Sequence, residues 1–571
     1  MTARDTSVVT LNEVKGSIPS MAPFAALRVT GLLAFLVLLS PAEARAQTRP
    51  FTRADTLRGS ITPERAWWDV TFYDLHIRLD PSDSTVRGHN AITYRVTGKP
   101  REMQIDLQEP LRVDSVAQAG RRLTVRREGN AFFVRPTGRL RVGETATVTV
   151  YYSGRPQVAE NPPWDGGLIW SRGPGGEPWI SVACQELGAS VWWPTKDTQA
   201  DEPDSQRVAL TVPDSLQALA NGRLRGVERG PGGTTYEWFV SDPINNYAVS
   251  AYVGRYAQMN ETFLGEGGAL TVAMWPLAAN LERARDQFTQ VQPVLRCFER
   301  WFGPFPWYRD GYQLIEAPHL GMEHQSAVAY GNGYHNGYKG KDLSGTGWGL
   351  TWDFIIVHET AHEWFGNNMT TADIADMWVH ESFANYSESL YTECLYGPAA
   401  GAEYVIGTRA LIQNEAPIVG TYGVNARGSG DMYPKGGNML HMIRHLIGDD
   451  ARWTRILRGL NREFRHQIVT GRQVREYLTA QAGVPLEKVF EQYLTTTRIP
   501  AFEYRLEGSR LSYRWADVVP GFAMPVRVRV SPDSTVRLTP TEAWQTAVLP
   551  IRHPEDFAVD PNFYVIPRRA D

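Results

Sequence analysis

The chain contains 571 residues, which is too many for one hydrophobic core and predicts roughly three or four domains. Hydrophobic residues make up 42% and charged residues 21%, which is the balance of a folded, soluble protein. The formal net charge of -4 excludes the strongly basic class of nucleic-acid-binding chains, so we expect no nucleic-acid partner.

The first element along the chain is predicted to be a secretory signal. A basic residue precedes an apolar run over 29–39, and small residues follow up to Ala46. Residues 1–46 are therefore predicted to be removed by a cut between Ala46 and Gln47, with 1–20 as an upstream extension. The apolar run is too short for a permanent anchor. We expect a secreted or periplasmic mature chain without stable membrane insertion.

Residues 47–259 are predicted to form a β domain. Apolar and polar side chains alternate over 70–79 and again over 145–152, as in strands with one buried face. Asn221 and Gly222 lie between apolar stretches, and this dipeptide is typical of a tight hairpin turn.

Residues 260–498 are predicted to form a mainly helical domain, because the spacing of apolar residues becomes helical from about Asn280. One helix is predicted where apolar side chains recur at intervals of three or four, at Leu350, Phe354, Val357, Ala361 and Phe365. A second helix is predicted over 376–396, because Gly397 is well placed to end it. Further helices are predicted over 435–446, 472–481 and 485–495.

Short stretches in which apolar and polar side chains alternate return after Pro500, for example over 526–530. Residues 499–571 are therefore predicted to be a small C-terminal β domain. The predicted fold class is α+β and multidomain. The three cysteines are too few and too dispersed for a disulfide framework or for a cysteine-ligated metal. They allow one disulfide and leave at least one thiol free; they are Cys184, Cys297 and Cys394.

A metal-binding pattern lies on the first predicted helix of the central region. His358, Glu359 and His362 form H-E-x-x-H, whose i, i+4 spacing puts both imidazoles on one helix face. The alternative is an ordinary helix with two histidines. Glu381 follows His362 after the eighteen residues 363–380, and the second helix can return it to the first. Two histidines and one carboxylate leave a zinc position open, which is typical of a catalytic site.

These residues resemble the gluzincin zinc aminopeptidases, the family of aminopeptidase N and the leukotriene A hydrolase/aminopeptidase. The signature is HETAHEWFGNNMT followed by MWVHESFANYSE. The resemblance extends to 321–324 (GMEH), similar to the family's exopeptidase motif, to 433–436 (YPKG), and to 184–189 in the β domain. It implies a saddle-like N-terminal β domain, a thermolysin-like, mainly helical zinc peptidase domain and one zinc ion per chain.

The resemblance also implies a chemical role for each residue. The implied zinc ligands are His358, His362 and Glu381. Glu359 is the implied general base for a zinc-activated water, and Tyr433 is the implied donor to the oxyanion. Without the family match, Tyr433 would be interpreted as a packing residue.

Exopeptidase action needs an anion that holds the free ammonium of the substrate. By resemblance this anion is Glu323, with Gly321 and Met322 beside it, and the alternative interpretation is a surface charge. Gln185 is similar to a family residue that binds the substrate's N-terminus, and Glu186 is a weaker candidate.

Three residues depart from the family pattern, which puts specificity in question more than activity: His324, His380 and Ser382. A protonated His324 would compete with the substrate ammonium for Glu323. If His324 titrates near the ordinary histidine value, activity is then expected to fall as the pH drops through about 6.5. Glu388 has two interpretations, either a support for a ligand histidine or a solvated helix charge.

The sequence therefore predicts a secreted zinc aminopeptidase that hydrolyses N-terminal residues from peptides with a free N-terminus. Two alternatives are an epoxide hydrolase acting on a lipid and an inactive zinc-containing protein that binds peptides. The chain carries no positive signal for a lipid substrate, and the presence of both Glu359 and Tyr433 argues against lost catalysis.

Overall fold

A computed structural model describes residues 50–570 of the chain. The predicted signal peptide over 1–46 and its cleavage site lie outside the described residues. Within 50–570, no helix combines the length and the apolar character that crossing a membrane requires.

The N-terminal region is dominated by one large sheet, which follows the short helix α1 (Arg53–Gly59). Its first strand alternates buried and half-buried side chains, so the strand predicted over 70–79 is confirmed. The strand predicted over 145–152 is also present, as β8. The strands are β1 (Trp68–Asp80), β2 (Thr85–Val96), β3 (Met103–Asp106), β4 (Arg112–Gln118), β5 (Arg121–Leu123), β6 (Val125–Glu128), β7 (Ala131–Val134), β8 (Thr145–Gly154), β9 (Gly167–Arg172), β10 (Pro178–Ala183), β11 (Ser205–Val212), β12 (Gln217–Leu219), β13 (Arg223–Gly230), β14 (Gly233–Val240) and β15 (Tyr252–Gly254).

Eight of these strands form the large sheet, in the order β13-β14-β11-β1-β2-β8-β4-β5. The remaining seven strands form two smaller sheets, with orders β12-β15-β10-β9 and β3-β7-β6. One apolar cluster joins side chains of all three sheets, including Leu75, Val148, Val182 and Phe132. The core of the N-terminal region therefore lies between the large sheet and the smaller ones.

The hairpin predicted at Asn221 and Gly222 is wrong. Strand β12 pairs with β15, whereas β13 pairs with β14, so the two strands flanking this dipeptide do not pair with each other. Asn221 is fully buried, and its amide nitrogen donates hydrogen bonds to the carbonyl oxygens of Ala248 at 2.9 Å and Gln325 at 2.7 Å. Long-range hydrogen bonds, rather than local turn geometry, determine the conformation here.

The central region combines a five-stranded sheet, with order β16-β17-β18-β20-β19, and a two-stranded one. The strands are β16 (Met259–Gly265), β17 (Gly268–Trp275), β18 (Tyr312–Glu316), β19 (Gly321–Met322), β20 (Val328–Tyr330), β21 (Met369–Thr371) and β22 (Gln467–Val469). The helices are α2 (Leu281–Gln287), α3 (Val291–Phe302), α4 (Phe354–Ala361), α5 (Trp378–Tyr396), α6 (Pro398–Gly407), α7 (Pro434–Ile447), α8 (Asp450–Glu463), α9 (Gly471–Ala482) and α10 (Glu487–Thr495).

Most helices predicted in this region are confirmed. Helix α5 stops at Gly397, whose φ of 93° lies in the region that glycine tolerates. Helix α4 is shorter than the apolar period predicts, because Leu350 lies in a separate turn and Phe365 has non-helical dihedral angles. The stretches predicted after residue 430 correspond to α7, α9 and α10.

The C-terminal region returns to strands, arranged in sheets of order β27-β24-β23-β29 and β26-β25-β28. They are β23 (Ala501–Glu507), β24 (Arg510–Ala516), β25 (Val526–Ser531), β26 (Ser534–Leu538), β27 (Gln545–Val548), β28 (Ala558–Val559) and β29 (Ile566–Arg569). The predicted α+β multidomain fold class is confirmed. The domain boundaries at residues 259 and 498 stay predictions.

One disulfide crosses the helical region. It joins Cys297 in α3 to Cys394 in α5, which are 97 residues apart in sequence. Cys184 is a free, buried thiol, so the expectation that one cysteine stays unpaired is confirmed. The bond fixes α5, the helix that carries Glu381, to a neighbouring helix of the same core.

Candidate metal centre

Helix α4 carries the two histidines of the predicted metal site. Asp353 precedes it and accepts hydrogen bonds from the main-chain N–H groups of Ile355 at 3.0 Å and Ile356 at 3.3 Å. This cap satisfies donors that the first turn of a helix leaves without partners. His358 and His362 are four residues apart, so their rings project from one face, and both are buried.

The chain turns sharply after His362. Phe365 and Gly366 leave the helical conformation, and φ is 126° at Gly366, a value that favours glycine. A Cβ atom at Gly366 would lie only 3.3 Å from Nδ1 of His362. The turn leads through β21 into α5, which places Glu381 beside the two histidines.

The three predicted ligand atoms form a nearly equilateral triangle. Nε2 of His358 and Nε2 of His362 are 3.3 Å apart, and Oε2 of Glu381 lies 3.5 Å and 3.4 Å from them. Ligands at about 2.0–2.1 Å from a tetrahedral zinc ion stand about 3.3–3.4 Å apart. Oε2 of Glu381 is buried and has no hydrogen-bond partner among the described residues. The three atoms therefore fit one zinc ion.

The other ring nitrogens of the two histidines are already engaged. Nδ1 of His362 is 2.9 Å from the carbonyl oxygen of Phe365, which can only accept, so Nδ1 carries the proton. Nδ1 of His358 is 2.8 Å from Oε1 of Glu388. Nε2 is thus the nitrogen of each ring that would ligate a metal. Burial opposes ionisation of Glu381, but His362 and His358 lower its pKa below the usual value.

Glu388 is not a solvated helix charge, because its side chain is fully buried. Besides His358, it accepts hydrogen bonds from the hydroxyl of Tyr404 at 2.7 Å and from the side-chain amide of Asn385 at 3.2 Å. Of the two interpretations left open by the sequence, the geometry favours support of a ligand histidine.

Glu359 lies on the same helix with its carboxylate facing strand β19. A Cβ atom at Gly321 would lie 2.5 Å from Oε1 of Glu359, so a larger residue there would displace the carboxylate. Burial raises the pKa of Glu359, and the charges of His358 and His362 oppose the rise. A carboxylate whose pKa is raised is suited to accept a proton near neutral pH.

Glu323 follows β19 directly and is buried close to Glu359. Its Oε1 accepts a hydrogen bond from the side-chain amide of Gln185, which belongs to the N-terminal region. Burial raises the pKa of Glu323 to about 7; His362 opposes this rise, whereas Glu381 and Glu359 add to it. The geometry thus brings the predicted exopeptidase residue, and the predicted glutamine, to the metal site.

Met322 is buried within the short strand β19 itself. It pairs with Ala329 in the antiparallel register of β19 and β20. This pairing attaches the predicted exopeptidase motif to the central sheet, so Met322 contributes to the site through the backbone position it fixes.

Tyr433 lies at the start of helix α7, beside the ligand histidines. Its ring stacks on that of His358, with centroids 5.9 Å apart and an interplanar angle of 28°. Burial, together with the negative charge of Glu381, raises the pKa of Tyr433 well above 10. The hydroxyl therefore stays protonated at neutral pH and can act as a hydrogen-bond donor.

The structure does not meet the condition for the pH effect predicted for His324. Nδ1 of His324 contacts the hydroxyl of Tyr252 at 2.5 Å, and the ring is fully buried. Burial, reinforced by the neighbouring His319, lowers the pKa of His324 well below 6.5. The imidazole therefore stays neutral where a protonated ring was expected to compete for Glu323.

The other two departures from the family pattern have structural roles. Nε2 of His380 accepts a hydrogen bond from the main-chain N–H of Thr371 at 3.0 Å. The hydroxyl of Ser382 donates to the carbonyl oxygen of Met432 at 2.8 Å, next to Tyr433. Neither side chain replaces a predicted ligand or the predicted base.

Several contributors to the site had no interpretable sequence signal. Glu363 and Asn367 lie in the turn after α4, and Tyr404 lies on α6; each makes a buried hydrogen bond to a site residue or to the segment that carries one. Glu363 follows the H-E-x-x-H pattern directly, but only tertiary packing reveals that it is buried. Glu186, the weaker candidate, forms an ion pair with Arg427 at 2.8 Å.

Comparison with known proteins identifies the region around this site. Residues 350–493 match the peptidase family M1 domain. This part of the chain carries a peptidase family M1 domain. The matched M1 domain contains the three candidate ligands, Glu359 and Tyr433, whereas Glu323 and Gln185 precede it in sequence.

Curated proteins that are similar to this chain carry aminopeptidase names. Aminopeptidase B of Rattus norvegicus is 23% identical over 320 residues, which cover 53% of this chain and 46% of the rat protein. Leucyl aminopeptidase of Saccharolobus solfataricus is 19% identical over 320 residues, which cover 54% of this chain and 40% of that protein. The chain spans less than half the length of the curated relatives it matches.

Solved M1 structures share the fold. An M1 zinc metallopeptidase mutant from Deinococcus radiodurans superposes with a TM-score of 0.65 at 22% identity, covering 78% of this chain and 98% of that one. A structure of that mutant bound to a Tyr-Ser-Ala substrate superposes with a TM-score of 0.64, also at 22% identity, and covers the same shares. At this identity the likeness establishes a common architecture.

Proposed function

We propose that this chain is a zinc-dependent aminopeptidase that releases N-terminal residues from peptides. The observation that carries the proposal is one buried cluster in which side-chain oxygens of Glu323 and Glu359 and a nitrogen of His362 lie within 4.8 Å of one another. A buried anion so close to the base and to a metal ligand selects substrates whose own amine supplies a positive charge.

The three-ligand set supports a single zinc ion per chain, held by His358, His362 and Glu381. When bound, zinc supplies Lewis-acid chemistry, polarising the peptide carbonyl and lowering the pKa of water. Hydrogen bonds at both Nδ1 atoms hold the two rings in the orientation that ligation requires. The fixed rings reduce the reorganisation needed to form the site.

The remaining chemistry is assigned to two protein groups. Glu359 takes a proton from the attacking water and returns it to the leaving amine. Tyr433 donates its hydroxyl hydrogen bond to the carbonyl oxygen of the scissile bond as negative charge develops there. Its raised pKa supports this role, because the hydroxyl keeps its proton across the neutral range.

Substrate selection is assigned to Glu323 and Gln185. Glu323 pairs with the ammonium of the substrate, and the amide of Gln185 holds the orientation of that carboxylate. An N-acetylated peptide lacks the positive charge and is bulkier at this position. The enzyme is therefore proposed to remove residues from free N-termini and to leave blocked peptides intact.

The comparisons support this activity. The matched relatives are named as aminopeptidases, and one solved neighbour is described as bound to a tripeptide substrate. We extend that description to this chain as a proposal: its substrates are short peptides with free N-termini.

We also propose that the mature chain works in a secreted or periplasmic location. The signal-like sequence that ends at Ala46 supports this location. The disulfide between Cys297 and Cys394 supports it independently, because such bonds persist in oxidising compartments. Determining the N-terminal residue of the exported protein tests the assignment, and an uncleaved chain that stays in the cytoplasm would oppose it.

The activity is tested by assaying hydrolysis of amino-acid arylamides by the purified protein, with and without a chelator. Turnover that is lost with the chelator and restored by zinc is expected. The matched control is the N-acetylated form of the same arylamide, which should not be cleaved. Efficient internal cleavage of blocked peptides would indicate an endopeptidase and overturn the proposal.

A further inference from the structure

Glu323 lies in a short segment formed by residues 321–327, the anchor segment. Its geometry depends on Ser326, whose φ of 56° lies in the left-handed region that residues with a side chain rarely adopt. The main-chain N–H of Ser326 donates to both carboxylate oxygens of Glu363, at 2.9 Å and 3.2 Å. Glu363 thus stabilises the less favourable conformation of Ser326.

A second hydrogen bond fixes the anchor segment at Glu323 itself. The side-chain amide of Asn367 donates to the carbonyl oxygen of Glu323 at 3.0 Å. The same amide nitrogen lies 3.4 Å from Oε2 of Glu363. Glu363 therefore holds the segment directly at Ser326 and indirectly, through Asn367, at Glu323.

The position of Glu363 in the chain connects the anchor segment to a candidate metal ligand. It follows the candidate ligand His362 directly, and the main-chain N–H of Asn367 donates to the carbonyl oxygen of His362 at 3.0 Å. Glu363 is fully buried, where a carboxylate is unfavourable unless donors surround it. The donors that satisfy it belong to the anchor segment and to the turn that follows His362.

We propose that Glu363 is a positioning residue that sets where the Glu323 carboxylate stands relative to the metal ligands. The inference rests on the proposed function, because it requires Glu323 to be the group that receives the substrate amine. Glu363 touches neither substrate nor metal; it acts through the backbone of the anchor segment and through Asn367.

The test substitution is Glu363→Gln. Glutamine has nearly the same shape, but it replaces one acceptor oxygen with an NH₂ group, which then faces the N–H of Ser326 or the amide of Asn367. The matched control is Glu299→Gln. Glu299 is also buried, and it accepts hydrogen bonds from the main-chain N–H groups of Glu266 and Phe305. Neither of these partners belongs to the anchor segment.

Both substitutions are placed in the zinc-loaded protein carrying Glu359→Ala, which prevents turnover during measurement. Calorimetry then compares Ala-Ala-Ala with its N-acetylated form. The parent should bind the free tripeptide at least about tenfold more tightly, as one charge-assisted hydrogen bond provides. Glu363→Gln should remove most of this preference while the zinc content is unchanged, and Glu299→Gln should keep it.

Each other outcome is decisive. Preference retained in a folded Glu363→Gln protein overturns the positioning role and leaves the proposed function standing. Equal loss in Glu299→Gln attributes the effect to general destabilisation and also overturns it. No preference in the parent overturns both the inference and the proposed function. If Glu363→Gln does not fold, Asn367→Ala removes the hydrogen bond to Glu323 and gives the same comparison.

Discussion

Nδ1 of His358 donates a hydrogen bond to Oε1 of Glu388 across 2.8 Å, and both side chains are buried. Glu388 lies seven residues after Glu381 on the same helix, which places both carboxylates on one face. Helix α5 therefore contributes twice to the site. One turn carries a predicted ligand, and the other orients the histidine opposite it.

We predict that Glu388→Ala weakens zinc binding by roughly 10–100-fold, as is typical when the group that orients a ligand histidine is removed. The substitution also leaves the hydroxyl of Tyr404 without its acceptor. Competition with a chelator measures the affinity. Glu393→Ala is the control, because Glu393 lies on the same helix but pairs with Arg444. Unchanged zinc affinity in Glu388→Ala would contradict the prediction.

Metal analysis after extensive dialysis should give one zinc per chain. The described residues offer two overlapping groups of ligand atoms, and both include His362, so a second ion would compete for the same histidine. Activity should return in proportion to zinc added to the metal-free protein. Two tightly bound equivalents, both needed for activity, would show that the single-metal mechanism is incorrect.

Glu359→Ala should retain zinc and lose turnover. Glu359 contributes none of the three ligand atoms, so its loss is expected to abolish catalysis without releasing the metal. Loss of a general base lowers the rate roughly a hundredfold or more. Zinc content and kcat are measured on the same preparation. Parallel loss of metal and activity would indicate a structural role for Glu359.

Tyr433→Phe should lower kcat while KM changes little. The hydroxyl is expected to bond mainly in the transition state, and loss of such a donor raises the barrier by roughly 3 kcal/mol. The stacking of the ring on His358 should remain, because phenylalanine keeps the ring. Steady-state kinetics on one arylamide decides the matter; a change confined to KM would make Tyr433 a binding residue.

Glu323→Gln should reduce the ratio of kcat/KM between the free and N-acetylated forms of one peptide. In the protein without metal, burial raises the pKa of Glu323 to about 7, so the carboxylate is protonated below that value. A zinc ion beside His362 favours the ionised form, which moves the transition to lower pH. KM of the wild type should therefore rise on the acidic side of pH 7, where the Glu323 carboxylate takes up a proton. KM of Glu323→Gln should stay flat over the same range, and an identical pH profile would oppose the assignment.

The metal ligands could be predicted from the sequence because their signal is local. The i, i+4 spacing of His358 and His362 fixes a common helix face, and a predicted helix that ends at Gly397 carries Glu381 back to it. The common face of the two histidines depends on helix geometry alone, whereas the return of Glu381 also depends on the turn at Gly366.

The roles of the supporting residues could not be predicted, because their burial and hydrogen-bond partners depend on distant parts of the chain. Whether Glu388 is solvated or buried is decided by its neighbours, among them Tyr404 on the next helix. Burial lowers the pKa of His324, and the sequence does not show that this side chain is buried. Asn221 was interpreted from its neighbour Gly222, but its amide bonds to Ala248 and Gln325.

The disulfide between Cys297 and Cys394 has a consequence for proteolysis. All three candidate ligands lie between these cysteines, inside one covalent ring of the chain. The ring also contains the glycine-rich stretch 339–347, most of whose residues are exposed, the kind of segment that proteases cut. A single cut there severs the chain ahead of His358, yet both fragments stay joined through sulfur. Only reduction together with the cut releases them, so a nicked protein should migrate as one molecule until a thiol is added.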